Sequence, residues 1–168
     1  MLLGVGGGKY SLSRDRSATW EQNWLEDFRP SLRTDTLGSM STPLQTTISL
    51  PFDEAVAATR AALAEEGFGV LTEIDIQATM KEKLNEDYPP TLVLGACNPP
   101  FAHKAMTIAP DVATLVPCNV VLRETAEGVT VETVDPQMLV DATGAAELAP
   151  LAADLRVKLE RALDSLQG

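Results

Sequence analysis

The sequence predicts an α+β fold: a single two-layer domain whose mixed or antiparallel sheet has about five strands, with helices packed on it. Three observations carry this. Short runs rich in β-branched residues alternate with segments whose apolar residues recur every three or four positions. A Glu-Gly pair at 127–128 turns one such run, 118–125, directly into another, 129–134. So short a link makes an antiparallel hairpin and excludes an all-parallel sheet. Finally, 168 residues suffice for one sizeable core plus an extension.

Each element follows from local chemistry. "LQTTISL" (44–50) alternates and reads as the first strand. Pro51 opens a helix through Glu66, with Phe52, Val56, Thr59 and Leu63 on one face, Asp53 and Glu54 at the positive end, and Gly67 as its stop. "FGVLTEID" (68–75) is a strand placing Phe68, Val70, Thr72 and Ile74 on one face, and Gly69, Leu71, Glu73 and Asp75 on the other. Asp75 caps a short helix to Leu84, whose Met80 and Leu84 are one turn apart. "TLVLGAC" (91–97) is apolar on both faces, as in a central strand. Asn98, Pro99 and Pro100 open a helix, "PDVATLVP" forms a further helical turn, and "CNVVLRET" (118–125) is a strand. Asp135 and Pro136 cap a short segment. A long helix from Ala145 to Leu166, interrupted early by Pro150, carries Leu148, Leu151, Leu155, Leu159, Ala162 and Leu166 on its apolar stripe.

Residues 1–40 read differently, as an N-terminal extension that is either a disordered leader or an over-long start, with 41–168 as the domain. Trp20, Trp24 and Phe28 share one face of a possible short helix there. The glycine run "GVGGGKYS" is not a phosphate-binding loop: Leu3 and Tyr10 stand where Gly and Ser or Thr are required, and no strand precedes it. The net charge of −11 opposes nucleic-acid backbones and anionic lipid surfaces. No apolar run reaches the ~20 residues a membrane span needs, and the start lacks the form of a secretory signal. Two cysteines make no disulfide scaffold. A cytoplasmic protein without nucleic-acid or membrane partners is the expectation.

"LGACNPPFAHKAM" (94–106) concentrates Cys97, Asn98 and the single histidine, His103; "VPCNVVL" repeats the Cys-Asn pair as Cys118 and Asn119. A cysteine before a helix start can become a nucleophile, yet Pro99 and Pro100 remove two of the N–H donors that would stabilise its thiolate. A helix with Phe101, Ala105 and Ile108 inward turns His103 about 200° away from Phe101. A quieter reading makes Asn98 the N-cap and packs Cys97 on Ala102. Cys97, His103, Cys118 and Glu73 match zinc or iron ligand types but no standard spacing. The link from 97 to 118 suits a parallel crossover, which would hold the cysteines a strand length apart; antiparallel neighbours would share one sheet edge.

The ordered blocks "GFGVLTEIDIQATMKEKL", "LGACNPPFAHKAM", "LVPCNVVL" and "VDPQML" resemble the prokaryotic domain of unknown function family 302, over about residues 46–166. The resemblance implies a small α+β domain that pairs as a homodimer, and it implies no reaction. The reading is a homodimeric module binding a small molecule near the ends of strands 91–97 and 118–125, with Glu73, Cys97, Asn98, His103, Cys118 and Asn119 as candidate ligand-binding residues. Neither a metal site nor a particular cofactor is assigned. The alternatives are a thiol- or metal-dependent enzyme or redox sensor using Cys97, and a structural or interaction protein.

Overall fold

The computed structural model describes residues 43–167. The expectations for residues 1–40, including the Trp20–Phe28 helix, lie outside the described residues. Among those described, no helix is long and apolar enough to cross a membrane.

Five strands form one sheet: β1 (Leu44–Ile48), β2 (Gly69–Asp75), β3 (Thr91–Cys97), β4 (Cys118–Thr125) and β5 (Gly128–Thr133). Their order is β1-β5-β4-β3-β2, every pair antiparallel, which resolves the choice between mixed and antiparallel. The helices are α1 (Phe52–Glu65), α2 (Ile76–Leu84), α3 (Pro99–Ile108), α4 (Gln137–Thr143) and α5 (Ala149–Asp164). Short 3-10 turns span Pro110–Leu115 and Ala146–Leu148.

The core lies between one sheet face and the helices. Leu94 and Ala96 of β3, Val120 and Leu122 of β4, and Val131 of β5 meet Leu63 of α1 and Leu155 and Leu159 of α5, all buried. Each such Leu or Val contributes about 1.5–3 kcal/mol on leaving water. β1 shows the simplest pattern: Leu44, Thr46 and Ile48 are buried while Gln45 and Thr47 face out. Pro150 does not interrupt the last helix. It sits in the first turn of α5, where its missing N–H is an orphan in any case. Asp135 is buried between α4 and α5. Its carboxylate accepts the Gln137 backbone N–H at 2.9 Å and an ion-paired hydrogen bond from Arg156.

Three sequence expectations change. β2 carries a bulge between Val70 and Thr72, so Val70, Glu73 and Asp75 oppose Ala96, Leu94 and Leu92, while Thr72 and Ile74 turn to the other face. Glu73 therefore shares a face with Val70 and not with Leu71. The β4–β5 loop is Ala126–Glu127, because Gly128 already pairs with Thr125. The link from Cys97 to Cys118 is no parallel crossover. α3 travels out and the Pro110–Leu115 turn brings the chain back to the edge it left, so β4 runs antiparallel to β3.

Gly95 of β3 lies under a tight cover. A Cβ there would lie 2.1 Å from Thr72 Oγ1 and 2.8 Å from Pro117 Cγ. Thr72 can rotate away; the proline ring has less freedom. Gly95→Ala is expected to destabilise the fold by about 1–3 kcal/mol, the usual cost of overpacking. Thermal unfolding checks this, and adding Thr72→Ala should recover only part of the loss.

Candidate functional site

The antiparallel β3–β4 pairing places Ala96 opposite Cys118. Both cysteines thus reach the same sheet edge, where a small apolar cavity lies. Phe68, Cys97, Asn98 and Cys118 border it from the sheet, Phe101, Ala102 and Ala105 of α3 roof it, and Leu139, Leu151 and Leu155 close it from α4 and α5. Its volume is ≈ 30 Å³, room for one or two waters. The walls exist in this form because α3 presents alanines where larger residues would fill the space.

The thiols are free. Ala96, not Cys97, is the register partner of Cys118, and both cysteines border the same cavity. Burial pushes the Cys97 thiol up from its ordinary value. It pushes Cys118 up as well, and negative charge on Cys97 adds to that rise. Protonated thiols at neutral pH suit a packing role better than a nucleophilic one.

Asn98 occupies the N-cap position of α3 but makes no side-chain cap. Pro99 and Pro100 have removed the first N–H groups, and the Asn98 amide instead donates to the Glu66 carbonyl at 3.3 Å. That carbonyl, at the C-terminal end of α1, also accepts from Lys158 Nζ at 3.2 Å. The Glu66 carboxylate receives Arg161 in a two-pronged pair at 2.8 and 2.6 Å, whose hydrogen bonds hold it below the usual carboxylate range. Cations at a helix C-terminus complement its orphan carbonyls. Gly67 follows with φ +83°, and a Cβ there would meet Asn98 Nδ2 at 3.1 Å. The sequence reading missed Glu66, Lys158 and Arg161; only the Glu-Gly step at 66–67 marked the place.

The other candidates stand elsewhere. Glu73 pairs with Arg60 of α1 at the β2 edge. Asn119 is exposed, and its carbonyl accepts from Thr133 Oγ1 at 2.8 Å. His103 is exposed on the outer side of α3, as its angle from Phe101 requires. Ile108, expected to be inward, is 45% exposed, since α3 buries only Ala105 fully. Among the described residues, no group of three or more His, Cys, Asp or Glu could hold a metal ion. So Cys97, Asn98 and Cys118 come together, and Glu73, His103 and Asn119 do not join them.

Both thiols are expected to alkylate with iodoacetamide more slowly in the native chain than after denaturation at pH 8. Their native rates should climb as pH rises past the ordinary thiol value of 9.0. Mass spectrometry of quenched samples measures this. Rapid native labelling of Cys97 near pH 7 would restore the nucleophile reading.

Comparison with known proteins bears on the fold. The family model described as "Domain of unknown function DUF302" matches residues 44–166. A solved structure, the uncharacterized conserved protein DUF302 from Bacillus stearothermophilus, is similar at 26% identity and a TM-score of 0.70, covering 74% of this chain and 98% of that one. No curated protein matches.

Proposed function

The chain belongs to the DUF302 family, whose description assigns no activity, and from that premise we propose that it is a homodimeric cytoplasmic binding module. Its ligand is a small molecule whose apolar part is held in the cavity under α3. The observation that carries this reading is the convergence of Cys97, Asn98 and Cys118 on an apolar space at the end of β3 and β4. Catalysis fits less well. The thiols are pushed toward their protonated forms, and among the described residues no acid–base partner lines the cavity.

The space of ≈ 30 Å³ is far below the ~300 Å³ of ordinary ligand sites, so a larger ligand enters by displacing the roof. α3 is suited to that. It fully buries Ala105 alone, whereas α5 buries Ala152, Leu155, Leu159, Ala162 and Leu163. Elements with few buried contacts open first. The homodimer draws support from Leu71, Ile74 and Leu84, which are 62%, 50% and 63% exposed on edge strand β2 and the helix after it. Apolar side chains on an unpaired strand edge favour association.

The test is a two-dimensional NMR titration of the full chain with 1-hexanol. Saturable shifts centred on Ala102, Ala105 and Val112 are expected, and Ala102→Leu, which fills the space, should abolish them. Sedimentation of the same sample should give twice the 18.0 kDa chain mass. A titration without localised shifts, from a folded sample, would contradict the ligand reading.

A further inference from the structure

A second hollow lies on the outer side of the roof helix. His103, Lys104, Thr107 and Ile108 of α3 and Leu151 of α5 surround a shallow depression of ≈ 320 Å³. Leu151 also borders the inner cavity. Leu151 is thus common to the wall of an open depression of ligand size and to the wall of the apolar pocket, where α3 meets α5.

The charge at this depression is unlike the rest of the described surface. Arg60, Lys81, Lys83, Arg123, Arg156, Lys158 and Arg161 are all ion-paired, several in networks. Lys104 is the cation, among the described residues, that carries no carboxylate partner. Among the described residues, no carboxylate lines the depression either. In a chain of net charge −11, an unneutralised ammonium beside an apolar hollow marks where an anion is accepted. Beyond about 8 Å the overall negative field is screened at physiological salt, so the local charge decides.

We propose that this depression is the entrance to the cavity and that the ligand is a small amphipathic carboxylate, its acid group on Lys104 and its apolar chain passing Leu151 into the pocket under α3. This deepens the proposed function and rests on it. His103, which also lines the depression, flanks the acid group. The arrangement gives a role to the histidine that the inner cavity leaves out. Ile108 and Leu151 supply the apolar walls that the first carbons of the chain cross. Ile108, 45% exposed, is covered when ligand is present.

The full chain titrated by NMR with hexanoate and with 1-hexanol, at matched ionic strength, tests the inference. Hexanoate is expected to bind about threefold to fivefold tighter, the upper part of the range for one exposed charge pair. Lys104→Gln should remove that advantage and leave the alcohol's affinity unchanged. Equal affinities in the native chain, or an advantage that survives Lys104→Gln, would overturn the entrance while leaving the apolar cavity in place. Failure of both probes to bind would overturn the cavity reading and this inference together.

Discussion

The antiparallel return between Cys97 and Cys118 is the constraint on which the rest of the structure depends. β3 and β4 are hydrogen-bonded neighbours, so the chain leaving Cys97 must come back to the same sheet edge. It cannot do so by a tight turn, because Asn98, Pro99 and Pro100 launch a helix of ten residues. The connection therefore arches, out along α3 and back through the Pro110–Leu115 turn. The arch covers the sheet edge without filling the space beneath it. Cavity, roof and outer depression are consequences of that one excursion.

The arch is held at its foot by polar contacts and along its length by few apolar ones. Asn98, Lys158 and Arg161 converge on Glu66 and fix the start of α3 against α1 and α5. Beyond that foot, Ala105 is the residue α3 buries fully, with Phe101 and Ala102 partly covered. A firmly tied base and a lightly packed span make a segment that can lift without unfolding the sheet. The thiols take part as packing groups in the wall of the cavity. Their raised pKa values are the result of burial that a reactive cysteine would have to avoid.

Much of this was legible in the sequence because it rests on local pattern. The alternation of 44–48, the Asp75 cap and the leucine stripe of α5 are written in neighbouring residues, and the structure has them where the pattern puts them. The cap is a hydrogen bond of 2.8 Å from the Ala78 N–H to Asp75. What the sequence did not show depends on residues far apart. The bulge at Leu71 is an accommodation between β2 and β3, invisible in a strand that alternates cleanly by itself. The direction of β4 depends on where a helical connection ends in space, and length alone favoured a crossover. Asn98 looked like a cap because its neighbours are those of a cap; its actual partner, the Glu66 carbonyl, is 32 positions away. The candidate site was half legible for the same reason. Cys97 and Asn98 are adjacent in sequence and Cys118 joins them through register, whereas Glu73 was drawn off by Arg60 and His103 by the helical turn.

The central claim is that the apolar space under α3 receives a ligand, and the most direct measurement is a crystal structure of the chain under xenon pressure. Xenon enters apolar cavities and needs no polar recognition, so it reports on the space alone. The account predicts a bound atom among Phe68, Phe101, Cys118 and Leu155, with α3 displaced outward around it. A pressurised crystal with this space empty and α3 unmoved would contradict it, and the arch would then be a structural joint only.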